Sequence, residues 1–189
     1  MARRPLIVGV GGTVRAGSTS ERALVKALAA AEAAGADTEL FGGAFMAALP
    51  IYDPREPDEH AERDRFLKAV SGCDGLIVAS PGYHGSISGV VKNALDCLEG
   101  LRGDPRPYLD GRAVGCLVVA SGWQACGSTL AALRSIVHAM RGWPTPMGAA
   151  LNAAQGLFGD DGEFTDPRDA AQVEIVAAQV VGFARKWSG

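Results

Sequence analysis

Three consecutive hydroxyl residues, Ser18, Thr19 and Ser20, follow Arg15 in a loop that also holds Thr13 and the glycines Gly11, Gly12 and Gly17. Hydroxyls and a forked guanidinium donate hydrogen bonds, and glycine lets backbone approach a ligand closely, so the composition suits an oxyanion. Ser18, Thr19 or Ser20 can also cap a helix beginning near Glu21, whose free N–H groups and positive dipole end would then face the anion. What the loop lacks narrows the anion. Gly12 to Thr19 has the glycine spacing of a nucleoside-triphosphate loop, but Ser18 stands where lysine belongs. Gly9 and Gly11 give a dinucleotide-like GxG, yet Val14 replaces the third glycine, and Asp37 and Glu39 come before the end of the next strand. A terminal monophosphate held without a metal fits what remains. An ordinary strand-to-helix turn rich in small residues is the competing account.

A second stretch, Ser80 to Asp96, reads SPGYHGSISGVVKNALD. Its loop, Pro81 to Ser86, places Gly82 and Gly85 beside Tyr83 and His84, so open backbone and ring side chains could border a flat heterocycle. A solvated loop histidine accounts for His84 equally well. His60 reads as a surface residue and His138 as a surface or packing residue. Cys73, Cys97, Cys116 and Cys126 form no CxxC pair and read as reduced packing residues, with no metal site expected. No Ser–His–Asp set or carboxylate pair stands out, so no side chain is assigned as catalytic.

These loops need elements to carry them. Leu6 to Val10 is a short apolar run of the kind buried on both faces of a parallel sheet, and Leu24 and Leu28 mark the inner face of a helix over Glu21 to Ala33. Thr38 to Phe41 is predicted as the second strand. Gly42 to Pro57, with Pro50, Pro54 and Pro57, is predicted as a structured loop. Asp58 is expected to cap a helix running to Ser71. Gly75 to Ser80 is the third strand, ended by Pro81, and Ser88 or Gly89 starts the next helix. Ala113 to Ala120 is the fourth strand, with Ser121, Gly122 and Trp123 at its end. Ser128 or Thr129 is expected to cap a helix to Arg141. Trp143 to Leu151 reads as a proline-interrupted fifth strand, and a last helix spans about Asp166 to Trp187. Strands alternating with helices imply a doubly wound parallel sheet with helices on both faces, and its ligand crevice at the carboxyl ends of strands one and three.

At 189 residues the chain is expected to form one domain over 1–189. Its formal charge of −3 gives no broad basic field for nucleic acid. No apolar stretch approaches membrane-spanning length, and the apolar run after Arg3 and Arg4 is too short for a signal peptide. A soluble, cytoplasmic protein is expected.

Together with GGTVRAGSTSERAL at Gly11 to Leu24 and LPIYDP at Leu49 to Pro54, the second stretch resembles the NAD(P)H-dependent FMN reductase family over roughly residues 5 to 150. The resemblance implies a flavodoxin-like sheet of five parallel strands in the order 2-1-3-4-5. It implies that FMN is bound, its phosphate at Thr13, Arg15, Ser18, Thr19 and Ser20. The isoalloxazine would lie against Pro81, Gly82, Tyr83, His84, Gly85 and Ser86, with Ser121, Gly122 and Trp123 added from the next loop. It further implies NADPH or NADH as hydride donor, a small-molecule acceptor, a homodimer or homotetramer, and a monooxygenase partner receiving reduced FMN. A quinone, azo or metal-ion reductase, or a flavodoxin-type electron carrier, are the alternatives. Thr13 departs from the usual serine, Gly82 from glutamate, His84 from asparagine and Ser88 from proline.

Overall fold

The computed structural model describes residues 3–55 and 60–187. A parallel sheet forms the middle layer. Its strands are β1 (Leu6–Gly11), β2 (Asp37–Phe41), β3 (Gly75–Tyr83), β5 (Ala113–Ala120), β6 (Trp143–Pro144) and β7 (Ala149–Asn152), while β4 (Ser86–Ile87) turns back antiparallel on β3. The helices are α1 (Thr19–Ala33), α2 (Gly43–Ala48), α3 (Ala61–Gly72), α4 (Gly89–Cys97), α5 (Trp123–Ala139) and α6 (Pro167–Trp187).

The lateral order is β2-β1-β3-β5-β6, with β7 also paired to β5. With the β4 hairpin set aside, this is the expected flavodoxin-like order, but the strands number seven rather than five. The last strand is split. Trp143 and Pro144 pair with Ala113 and Val114, the chain then steps off through Pro146, and Ala149 to Asn152 resume pairing with Leu117 to Ala120. Proline has no N–H for the ladder, which breaks the strand where the sequence placed the interruption.

Successive strand side chains point to opposite faces, and two cores result. Val8, Val10, Leu76, Val78, Val114 and Cys116 pack under α2 to α5. Ile7, Ile77, Leu117 and Val119 pack under α1 and α6. On the second face Gly115 matters, because a Cβ there would lie 2.5 Å from Val176 Cγ1. Its absence lets α6 sit close to the central strands.

Several boundaries differ from expectation. The segment after β2 contains α2, since Phe45 and Met46 have core to cover against Phe41 and Phe66 before the first proline. Pro81 does not end β3; it stays in register with Val119, and the strand continues into the hairpin. The fifth helix starts at Trp123 behind Gly122, so Ser128 and Thr129 lie inside it rather than capping it. The expected cap at Asp58 lies outside the described residues, and α3 follows His60. Ser18 and Ser88 do cap α1 and α4, accepting from the Glu21 and Val91 N–H groups.

Candidate functional site

A cleft of about 450 Å³ opens at the carboxyl ends of β1, β3 and β5. It joins Thr13, Val14, Arg15, Ser18, Thr19 and Ser20 from the first loop to Pro81, Gly82 and Tyr83 from β3 and to Ser121 beyond β5. The two motifs thus converge on one crevice, at the position where the winding of the sheet reverses.

The first loop is held open by backbone geometry. Gly11 has φ +148°, and a Cβ on it would lie 1.9 Å from the Ala79 carbonyl oxygen, to which the Gly12 N–H also donates at 3.0 Å. Strand β3 therefore presses directly on the loop. Beyond it Arg15 N–H donates to Thr13 Oγ1 at 3.0 Å, which tightens the turn. Glu21, buried in the first turn of α1, accepts from Gly17 N–H at 2.5 Å and from Gly43 N–H at 2.9 Å. Its carboxylate is thereby spent on two loops rather than facing the cleft, whose lining omits it.

Apart from the Thr13 hydroxyl, which donates to Arg15 O at 3.4 Å, the donors facing the cleft from the first loop are uncommitted. Among the described residues, the N–H groups of Thr19 and Ser20 find no protein acceptor, and no carboxylate pairs with Arg15. A helix N-terminus, a row of hydroxyls and one free guanidinium in a walled pocket fit a phosphate monoester.

The far end of the cleft is built by the β3–β4 hairpin. Tyr83 pairs with Ser86 across a two-residue turn whose residues, His84 at φ +52° and Gly85 at φ +83°, both adopt the left-handed region. This is the turn that matches strand twist, and it favours Asn-Gly, with His among the side chains that tolerate the first position. Ser80, fully buried, locks the hairpin: its hydroxyl donates to Pro81 O at 2.9 Å and accepts from Ser88 N–H at 3.0 Å. Gly82 has no room for a side chain, since a Cβ would meet Ala120 Cβ at 2.8 Å and Thr129 Oγ1 at 2.9 Å. Ala120 of β5 and helix α5 together occupy the space that a glutamate, expected here from the resemblance, would need.

Of the fourteen residues named from the sequence, nine line the cleft; His84, Gly85, Ser86, Gly122 and Trp123 do not. His84 and Gly85 shape the turn. Gly122, at φ +125°, donates its N–H to Asn152 Oδ1 at 2.9 Å, and Trp123 faces a neighbouring cavity. Val14, Val119, Ala120 and Ala153 line the cleft without having been singled out. Val14 and Ala120 adjoin named residues and could have been found by adjacency; Ala153 is brought in by the sheet alone. Cys126 lies close by, donating to Leu151 O at 3.4 Å, but burial raises its thiol pKa, which leaves it a packing residue. Among the described residues no group of His, Cys, Asp and Glu could hold a metal ion, and no helix is long and apolar enough to cross a membrane.

Comparison with known proteins agrees with this geometry. Residues 5–156 match the family described as NADPH-dependent FMN reductase. The chain is 31% identical over 120 residues to an FMN-dependent NADPH-azoreductase of Staphylococcus haemolyticus, covering 62% of this chain and 60% of that one. It is 32% identical over 129 residues to the enzyme of the same description from Staphylococcus aureus, covering 67% and 65%. The match thus spans less than two thirds of either relative. Among solved structures, the flavoenzyme NAD(P)H:(acceptor) oxidoreductase FerB of Paracoccus denitrificans superposes with a TM-score of 0.72 at 20% identity, over 96% of this chain and 98% of that one. At that identity the likeness is one of fold.

Proposed function

The chain belongs to the NADPH-dependent FMN reductase family, and from that premise we propose that it is an FMN-dependent oxidoreductase. It takes hydride from NADPH or NADH and passes electrons to a small-molecule acceptor, with azo compounds, named for its staphylococcal relatives, as the first class to try. The observation that carries this is the single cleft joining the Arg15 and hydroxyl loop to the β3–β4 hairpin.

When bound, FMN supplies the redox chemistry, accepting hydride from the nicotinamide and releasing two electrons. The chain supplies position and charge. Arg15 with Thr13, Ser18, Thr19 and Ser20 holds the phosphate. Pro81, Gly82, Tyr83 and Ser121 border the ring system. His84, Gly85 and Ser86 set the hairpin that carries Tyr83, while Gly122 fixes the wall behind Ser121. No side chain is required as proton donor or nucleophile.

We place a homodimer or homotetramer contact on the Pro-rich segment from Phe45 to Pro57, of which residues 56 and 57 lie outside the described residues, and on helix α4. Ile51 lies on that segment, 82% exposed. Four free, buried cysteines support a cytoplasmic setting. A monooxygenase supplied with reduced FMN is a further candidate recipient of the electrons.

The direct test is titration with FMN followed by anaerobic addition of NADPH. Flavin fluorescence changes on binding and its colour bleaches on reduction. Arg15→Ala weakens FMN binding by roughly 10- to 100-fold, the worth of a charge-assisted hydrogen bond. Unchanged affinity in that variant, or an absorbance that NADPH and NADH both leave untouched, refutes the assignment.

A further inference from the structure

The last pair between β5 and β7 is Ala120 with Asn152, and beside it the Ala153 N–H donates to Ala120 O at 2.9 Å. Beyond that point the two strands part. One chain passes through Ser121 and Gly122 into α5; the other passes through Ala153 and Ala154 into a turn closed by the Gly156 N–H on Ala153 O at 3.2 Å. Ser121 and Ala153, the first residues past the paired strands, both line the cleft. Strand pairing no longer sets the distance between their segments, so a side chain has to.

Asn152 supplies it. Its Oδ1 accepts from Gly122 N–H at 2.9 Å and from Ala154 N–H at 3.1 Å, one donor on each departing chain. The bond to Ala154 is the local turn that an asparagine makes with the backbone two residues on. The bond to Gly122 is different in kind, because it crosses to a segment 30 residues away in sequence. Both groups around Oδ1 are N–H donors, so the amide has one sensible orientation, with its nitrogen turned away from them. Gly122 depends on this hold. It stands before α5 at φ +125°, makes no side-chain cap bond, and has open space where a Cβ would be, so packing on that side does not restrain it. Underneath, the strand ends are firm: Cys126 Sγ lies 3.7 Å from Ala120 O and 3.4 Å from Leu151 O. The freedom left at the end of β5 is therefore that of the Ser121–Gly122 step, and the Asn152 amide is what ties that step to the Ala153 side.

We infer that Asn152 is a positioning residue for the flavin ring system: it fixes the wall made by Ser121 and Ala153 without touching the flavin. Its own side chain lines the neighbouring cavity and is absent from the lining of the cleft. The inference rests on the proposed FMN site and gives its ring end a support that corresponds to the one Glu21 gives the phosphate end.

The test compares the wild type with Asn152→Ala, Asn152→Asp, Asn152→Ser and Arg15→Ala, by FMN titration and by the visible circular dichroism of flavin-saturated protein. That spectrum reports the surroundings of the ring and not those of the phosphate. Asn152→Ala leaves two N–H groups without their acceptor, weakens FMN binding roughly tenfold, the scale of one to two hydrogen bonds, and changes the spectrum. Asn152→Asp keeps both bonds and holds FMN within about threefold of the wild type. Asn152→Ser, whose shorter hydroxyl still reaches its own turn, breaks only the crossing bond and behaves as Asn152→Ala does, which gives the same reading should the alanine variant fail to fold. Arg15→Ala loses affinity but, once saturated, keeps the wild-type spectrum. A merely structural asparagine would lower the urea midpoint of Asn152→Ala and Asn152→Ser while leaving affinity and spectrum as they were, and that result overturns the inference. So does an Asn152→Asp protein that binds as weakly as Asn152→Ala. Wild-type protein that binds no FMN sinks the FMN site itself, whereas normal wild-type binding with unmoved Asn152 variants sinks only the role of Asn152.

Discussion

At the scale of single residues, backbone conformation and close approach explain more of the site than side-chain chemistry does. Gly11 and Gly17 both have positive φ, but only Gly11 is pressed against another strand. Gly17→Ala meets no atom within 4 Å and suffers only the left-handed penalty, about 1 kcal/mol. Gly11→Ala must displace the Ala79 carbonyl as well, and is expected to cost about 3 kcal/mol or more and to abolish FMN binding. Urea unfolding with FMN titration of the two variants checks this; equal losses would contradict it. The hairpin turn makes a similar distinction. His84→Asn, which suits the left-handed position, leaves stability within about 0.5 kcal/mol, while His84→Val costs about 1 to 2 kcal/mol because a β-branched residue resists φ +52°. If valine is tolerated as well as asparagine, His84 is kept for its imidazole rather than for its backbone.

At the scale of elements, the junction of α1 with the loops on either side decides how firmly the phosphate end is held. Glu21 accepts two backbone N–H groups with two carboxylate oxygens. Glu21→Gln keeps the shape but turns one acceptor into a donor facing an N–H, so it is expected to destabilise by about 2 to 3 kcal/mol. Ser18→Ala removes only a long cap bond of 3.4 Å and is expected to cost about 1 kcal/mol. Chemical denaturation ranks the pair, and a larger loss for Ser18→Ala would reverse the assignment of Glu21 as the pin. Glu21 also shows where legibility in the sequence ends. The strands β1 and β5, helix α1 with a hydroxyl cap among Ser18, Thr19 and Ser20, and the split last strand were readable because apolar period, cap residues and proline are local signals. That Pro81 stays in the sheet, that Gly122 rather than Ser128 precedes α5, and that Glu21 binds Gly43 depend on neighbours distant in sequence. The same holds within the cleft: Arg15 and its hydroxyls were legible by type, whereas Ala153 joins them only because β7 lies beside β5.

At the scale of the whole molecule, the four cysteines give a probe of how the layers open. All are free and buried. Burial pushes the thiol pKa of Cys73 up to about 11 and that of Cys116 up to about 12, and raises those of Cys97 and Cys126. Thiolate is therefore scarce in the native state, and alkylation at neutral pH must wait for opening. Cys73, Cys97 and Cys116 sit in the core under α2 to α5, and Cys126 is hydrogen-bonded to the carbonyls of β5 and β7. If residues 1–189 act as one domain, the four label at one common rate in iodoacetamide, resolved site by site in mass spectra. FMN at about 100 times its dissociation constant should then slow all four together by roughly 100-fold, since a ligand of the native state stabilises every part of a cooperative unit equally. Early labelling of Cys126 alone would instead mean that the β5–β7 side of the cleft opens by itself, and FMN would protect that thiol more than the other three.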